Sequence, residues 1–385
     1  MMLLETVGIL LCSFSQVTRA VSLRNAEDGF TALQQFYNES IGLWIPSTGW
    51  WNSANCLTVI ADLAAIDPSV KNEGASIWQN TFTQAQKYNL QMQKVVEAKY
   101  LPCSYYDSAS PSVPQDVKMP QARQTNGFLN DYYDDEGWWA LAWIAVYDVT
   151  GEQDYLITAQ SIFDDMDKAY GTTPCGGLWW DKQHTYVNAI ANELYIDVAA
   201  HLATRSQSRS TYYLDRAKEG WNWFRKSGMI NAQWNINDGL DSATCTNNNG
   251  TVWTYNQGVI LGALTELSEA TGDIGYITTA KRIADAGIAN LTNSNGILHE
   301  PCEPDCGGDG SQFKGIFTRN LRILQQESPE ERYADFLDRN ADSVWQKDRN
   351  DGNEFGLVWD GPFVGPANAS TQSSGLDVIV AALST

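Results

Sequence analysis

The sequence predicts an all-α fold, a single-domain (α/α)6 barrel in which six helical hairpins close into a toroid. The first observation behind this is an internal repeat. TGEQDYLITA at 150–159 recurs as TGDIGYITTA at 271–280, with looser copies STYYLDRA at 210–217 and ERYADFL at 331–337. The anchoring residues Tyr155, Tyr213, Tyr276 and Tyr333 follow one another at 58, 63 and 57 residues, a period that marks stacked supersecondary units. The second observation is an interleaved series of six stretches, each a polar lead-in followed by an apolar run rich in Ala and Gly: 52–66, 134–151, 188–203, 256–272, 313–326 and 372–383. The third is length. Taking residues 1–20 away from the 385 leaves room for about six units of about sixty residues.

Each element follows from its pattern. The six small-residue stretches are apolar around most of their circumference, as buried helices are, and their Ala and Gly positions let neighbours approach. The Tyr-anchored segments carry apolar residues on one side only, as expected of helices laid on an inner layer. Inner helices therefore alternate with outer ones. An open helical array or an irregular all-α domain is the alternative arrangement. No Pro-, Gly- or Ser-rich linker divides the chain; 107–127, with Pro111, Pro114 and Pro120, reads as a surface loop.

Composition narrows the function. The formal charge is −21 at pH 7, which repels phosphate backbones and anionic membrane surfaces and makes nucleic acid a poor partner. Charged residues are only 18%, so much of the polarity is Asn, Gln, Ser and Thr, side chains suited to neutral hydroxyl groups. Fifteen Trp and 17 Tyr supply aromatic faces for cores or for sugar rings.

Residues 1–20, MMLLETVGILLCSFSQVTRA, read as a secretory signal peptide cut after Ala20, with an apolar run from Val7 to Phe14. The segment departs from the usual pattern in lacking a basic start and in carrying Glu5. Cleavage leaves Cys56, Cys103, Cys175, Cys245, Cys302 and Cys306, an even set expected to pair as three disulfides, with fifteen possible pairings. Sequons at Asn38, Asn249, Asn290 and Asn368 agree with an exported glycoprotein. No later stretch is long and apolar enough for a membrane span, and the final LDVIVAALST is a poor match to a GPI-anchor signal. The expectation is a secreted or cell-wall-associated monomer.

In a ring of hairpins the inner helices run in one direction, so their N-termini share a mouth. The residues there are Trp51 and Asn52, Asp134 and Asp135, Asn188 and Asn192, Tyr255, Asn256 and Gln257, Phe313 and Lys314, Gln372 and Ser373. Helix capping alone explains Asn, Asp and Ser at such positions. It does not explain Trp, Tyr, Gln and Lys, and the set suits a sugar-binding cleft.

The centre is DYYDDEGWWALAW, 131–143. Glycosidic cleavage needs one ionised carboxyl and one protonated carboxyl. Asp134 and Asp135, beside Trp138, Trp139 and Trp143, are the candidate pair; a solvated acidic helix start is the bland alternative. Neighbours on a helix point about 100° apart, so the pair works only if Asp134 precedes the helix or if substrate curls around both. In GGLWWDK, 176–182, Trp179 and Trp180 are candidates for the floor of a sugar subsite, and Asp181 and Lys182 for holding hydroxyls. WTYNQG, 253–258, is a third candidate stretch. Three His without ligand spacing, and no P-loop or GxGxxG, give no metal or cofactor site. CEPDCGGDG, 302–310, reads as a disulfide loop rather than a metal site, since it lacks a full ligand set.

YDDEGWWALAWIAVYDVTG, GGLWWDK…NAIANELY and WTYNQGVILGAL together resemble the signature stretches of glycoside hydrolase family 76, over nearly the whole mature chain. The resemblance implies an endo-acting α-1,6-mannanase on an (α/α)6 barrel, working by retaining double displacement without a metal or cofactor. It implies Asp134 as nucleophile and Asp135 as general acid/base. The mouth and the two neighbouring stretches offer Trp138, Trp179, Trp180, Asp181, Asn188, Asn192, Tyr255, Asn256, Gln257 and Lys314 as the candidate substrate-binding residues. A cell-wall transglycosidase handing a mannose-containing glycan to a sugar acceptor is the second reading, and a non-catalytic mannan-binding protein the third. The weak anchor signal leans the choice to hydrolase.

Overall fold

A computed structural model describes residues 21–45, 49–88, 95–97, 100–103 and 127–384. The candidate signal peptide and nearly all of the 107–127 loop lie outside the described residues.

Six helices form an inner ring: α2 (Trp50–Ile66), α4 (Tyr133–Thr150), α6 (Ala189–Arg205), α8 (Thr254–Thr271), α11 (Phe313–Glu327) and α13 (Ala369–Leu383). Each packs on the next, and α13 returns to pack on α2, closing the toroid. Six more lie outside: α1 (Leu23–Gln34), α3 (Pro68–Gln84), α5 (Gln153–Ala169), α7 (Ser210–Ser227), α9 (Gly275–Leu291) and α12 (Glu331–Lys347). A single turn, α10 (Gly307–Gly310), precedes α11. Three two-stranded antiparallel ribbons decorate the loops: β1 (Tyr37–Asn38) with β2 (Leu43–Trp44), β3 (Val95–Glu97) with β4 (Tyr100–Cys103), and β5 (Leu240–Asp241) with β6 (Thr246–Asn247). No described helix is long and apolar enough to cross a membrane.

The two helix types fold for different reasons. Every residue of α8 from Thr254 to Ser268 is buried, so its small residues set the ring's spacing. A Cβ on Gly258 would come within 2.6 Å of the Phe317 backbone, which lets α8 and α11 touch. In α12, by contrast, burial falls on Tyr333, Phe336, Leu337, Asn340, Ala341 and Val344, one stripe of a helix whose other face is wet. Three of the four repeat tyrosines, Tyr155, Tyr213 and Tyr333, are buried on the outer helices as the pattern requires; Tyr276 is partly exposed.

The hairpins are not all consecutive. The N-terminal α1 packs against the C-terminal α13, so the sixth pair joins the two ends of the chain. Neither α1 nor α3 carries the repeat tyrosine, and α3 presents Trp78 to the core instead.

The disulfide expectation needs correction. Cys175–Cys245 and Cys302–Cys306 are bridged, but Cys56 is a free, buried thiol. Cys56 faces the ring closure, with Sγ 3.6 Å from the Ala369 carbonyl oxygen. That small-residue contact between α2 and α13 gives a thiol a packing role with no bridge. The side chain of Cys103 lies outside the described residues.

Candidate active site

The inner N-termini do converge. Trp51 stacks on Trp138 with ring centroids 5.6 Å apart, Trp138 on Tyr255 at 6.5 Å, and Tyr255 on Phe313 at 3.8 Å. These rings come from the first two turns of α2, α4, α8 and α11, and make an aromatic floor across the mouth. Trp51 is anchored by its Nε1, which donates at 2.8 Å to Oδ1 of Asp309 in the turn α10 that follows the Cys302–Cys306 loop.

The adjacent aspartates sit on one side of this floor. The helix starts at Tyr133, so both belong to its first turn, and Asp134 does not precede it. The roughly 100° between neighbours is resolved by separate partners. Asp134 Oδ2 accepts from Trp180 Nε1 at 2.9 Å, and Oδ1 from the Asp135 backbone N–H at 3.0 Å. Asp135 Oδ2 accepts from Asn130 Nδ2 at 2.7 Å. Asp134 is 7% exposed and Asp135 3%. At least two partners of the pair are thus neutral N–H groups from loops, and the free end of α4 adds a positive dipole terminus.

A bracket of backbone holds those loops. Tyr132 and Asp181 form an antiparallel bridge, with Tyr133 N donating to the Trp180 carbonyl and Lys182 N to that of Asp131, both at 2.9 Å. Glu136 stiffens it from below: Oε1 accepts from Asn130 N at 2.8 Å and Lys182 Nζ at 2.7 Å. Burial pushes the Glu136 carboxyl up to about 8, against the pull of Lys182. Lys182 reaches on to Asp165 Oδ2 at 2.7 Å on α5. Gly177, at φ +72, lets the loop pass under Trp223 and Asn192; a Cβ there would lie 2.4 Å from the indole.

The sequence-predicted binding residues divide into two groups. Trp138 and Tyr255 are in the floor, and Trp180 is on Asp134. Trp179 stacks on His184 at 5.0 Å. Asn256 is fully buried with neither side-chain amide atom partnered, and Asn188, the N-cap of α6, keeps an unpartnered Nδ2. The other group is already engaged. Asp181 accepts from Gln183 N and from the Thr185 hydroxyl within its own loop. Asn192 clasps the backbone of Leu178, and Gln257 that of Ile236. Lys314 binds Glu303 and the Leu357 carbonyl beneath Trp359. These four shape the loops that surround the mouth.

Sequence reasoning missed Asp238 and Glu193. Asp238 is fully buried; its Oδ2 accepts from Tyr186 at 2.7 Å and its Oδ1 is unpartnered. Burial raises it to about 7, and the charge of Asp134 adds to that. Glu193, on α6, has both oxygens unpartnered and is pushed far above the carboxylate range by burial and by Asp238. The fields of Asp238, Asp134, Glu193 and Asp309 all reach Tyr255, placing four acids around one phenol. In sequence, Asp238 sits in a loop without periodic context and Glu193 inside an apolar run. Among the described residues no group of His, Cys, Asp and Glu has the arrangement of a metal site.

An (α/α)6 toroid with two carboxyls at an aromatic mouth defines a glycoside hydrolase architecture. The chain belongs to glycosyl hydrolase family 76, whose family model matches residues 25–385. It is 23% identical over 371 residues to the Candida albicans mannan endo-1,6-alpha-mannosidase DFG5, covering 90% of this chain and 74% of that one. It is 27% identical over 248 residues to the Saccharomyces cerevisiae DFG5 protein of the same description, covering 59% of this chain and 54% of that one. Among solved structures, the GH76A alpha-1,6-mannanase of Salegentibacter sp. HEL1_6 superposes with a TM-score of 0.74 at 21% identity, over 94% of this chain and 98% of that one. Dfg5 from Chaetomium thermophilum, solved in complex with glucosamine, does so with a TM-score of 0.74 at 20% identity, over 94% and 90%. These likenesses fix the fold.

Proposed function

We propose that this protein cleaves α-1,6-mannosidic linkages within mannan by double displacement. The observation that carries the reading is the pair Asp134 and Asp135, consecutive in the first turn of α4 at the aromatic mouth, with separate partners. Asp134, with an N–H on each oxygen, is the acceptor-only group suited to attack the anomeric carbon. As the C1–O6 bond breaks, Asp135 gives its proton to the departing O6. Water then enters, Asp135 takes its proton, and the hydroxide displaces Asp134 from C1 with net retention. Trp51, Trp138 and Tyr255 offer faces for the sugar rings, while Asn188 and Asn256 offer unpartnered amide groups for hydroxyls. A Salegentibacter alpha-1,6-mannanase variant described as inactive, with two consecutive aspartates replaced by alanine, holds alpha-1,6-mannotetrose on the same fold, which supports the assignment.

The protein acts in this reading as a secreted or wall-associated monomer. Asn249 and Asn290 are exposed for glycosylation, whereas Asn368 caps α13.

A second reading replaces water by a sugar acceptor. The Chaetomium Dfg5 of the same fold was solved in complex with glucosamine, and an amino sugar is a candidate acceptor. Incubation with unbranched α-1,6-mannan and sizing of the products separates the two. Shorter chains of retained anomeric configuration establish the hydrolase, longer ones the transglycosidase. Binding without any change in size sinks both and leaves a mannan-binding protein.

A further inference from the structure

Outside the barrel, between the outer helices α7 and α9, lies a groove of about 790 Å³. Its walls carry Trp221, Arg225 and Lys226 from α7 and Tyr276 from α9, and its rim carries Trp234 from the loop after α7. The volume is in the range of sites that enclose a small ligand.

Three features distinguish it from ordinary surface. The first is charge. The chain holds 46 acidic residues against 25 basic, yet Arg225 and Lys226 on the groove and Arg282 beside it have no carboxylate partner among the described residues. Basic residues in a last turn complement the helix dipole, which accounts for Arg225 and Lys226 on α7 but not for Arg282 near the middle of α9. Among the described residues Asp273 is the only acidic one lining the groove, and its Oδ1 is occupied by the Gly275 N–H. The second is Trp234. It is 36% exposed and held at φ +67, a backbone setting uncommon outside glycine. Asn231 holds the turn, its Oδ1 accepting from Gln233 N at 3.0 Å and Asn235 N at 3.1 Å. The Arg282 guanidinium sits 5.0 Å from the indole centroid. A large aromatic is thus presented to solvent beside a cation. The third is continuity. Ile230 bridges Ile236 at the base of this turn, and Asp238 of the mouth follows two residues later.

We propose that the α7/α9 groove is a second glycan-binding site, for a sugar chain that carries negative charge as a phosphate ester or a uronic carboxylate. The indole takes a sugar face, and Arg225, Lys226 and Arg282 take the anion. The turn 230–236 runs on in sequence to Asp238 beside the catalytic mouth.

The full chain carrying Asp134→Asn tests this by calorimetry, independently of whether the protein turns mannan over. The probes are an α-1,6-mannotetraose with a terminal 6-phosphate, its neutral counterpart, and a mannotriose ending in glucuronate. At least one charged probe binds tenfold or more tighter than the neutral one, and that advantage disappears in R225E/K226E and at high salt; which charged probe binds identifies the anion. The milder R225A/K226A pair shows a partial loss, and W234A weakens charged binding with the melting temperature unchanged. Equal binding of charged and neutral probes overturns the proposal. So does a charge preference that survives R225E/K226E, because the anion is then read elsewhere.

Discussion

The mouth and the interior of the barrel both bury carboxylates, and they satisfy them in different ways. At the mouth, Asp134 and Asp135 take N–H groups of Trp180, Asn130 and the backbone. Further down, Asp197, Glu266 and Asp377 face cations. On α6, Asp197, His201 and Arg205 follow Glu193 at intervals of four, a stripe of titratable groups along one face. His201 Nδ1 lies 3.0 Å from Glu266 and Nε2 3.3 Å from Asp197, and Arg205 spans Glu266 and Asp148. Across the ring Arg319 sits 3.2 Å from Asp377 and donates to Asn55 at 2.6 Å. A carboxylate with a fixed cation is spent on structure. One that takes neutral N–H groups at an aromatic mouth is placed to use its charge or proton on a ligand.

The sharpest break of that contrast is removal of the mouth pair. Asp134→Ala and Asp135→Ala each lower kcat on α-1,6-mannan by on the order of 10⁴-fold or more. The melting temperature stays within a few degrees of wild type, because the loop groups that lose an acceptor, Trp180 Nε1 and Asn130 Nδ2, are neutral. Full activity in either variant removes that residue from the mechanism.

In the interior the balance reverses. Arg319→Met strands Asp377 among α2, α11 and α13 and costs about 3 kcal/mol, with the activity of the remaining folded protein unchanged. Asp377, already pushed up to about 7 by burial, takes a proton and limits the loss. The double change Arg319→Met with Asp377→Leu recovers most of it, as seen by denaturant unfolding. A double variant as unstable as the single one would show that the pair does more than neutralise itself.

A smaller effect tests how the mouth orients its acids. Trp180→Phe keeps the ring beside Tyr132 and Tyr186 but removes the N–H on Asp134. kcat falls by about 10²-fold with KM little changed, since a donor that orients and stabilises the carboxylate is gone. A loss confined to KM would make Trp180 a sugar platform only.

Much of this was legible in the sequence. Ala- and Gly-rich runs at a sixty-residue period carry the ring because helix packing demands small residues wherever axes approach. The mouth followed from direction alone. Less was legible where long-range geometry decides. Asn192, Gln257, Lys314 and Asp181 look like ligand groups by type, but each meets backbone or charge tens of residues away or inside its own turn. Asp238 gained its place from Tyr186, 52 residues earlier, which no local pattern records. Cys56 was assigned to a bridge by parity, and only its position at the α2–α13 seam shows it to be a packed thiol.

The mildest prediction concerns pH, and it joins the two regions. Burial raises Glu136, Glu300 and Asp348 to about 8 and Asp238 and Asp377 to about 7. Between the ordinary carboxylate range, about 4, and these values, the folded protein holds protons that the unfolded chain has released, so stability falls as pH rises. Burial alone would depress His201, but Glu266 and Asp197 hold it at about 10, and its contribution is lost from about 6.5 upward with the same sign. Glu266, held low by His201 and Arg205 despite burial, acts oppositely, but its contribution is lost only below its ordinary range. The melting temperature is therefore higher at pH 5 than at pH 8 by at least a few degrees. Asp238→Asn flattens the mouth's share of that slope and Asp377→Asn the interior's. A melting temperature that rises from pH 5 to pH 8 would mean that these acids are ionised in the fold, and that water or cations reach the barrel interior.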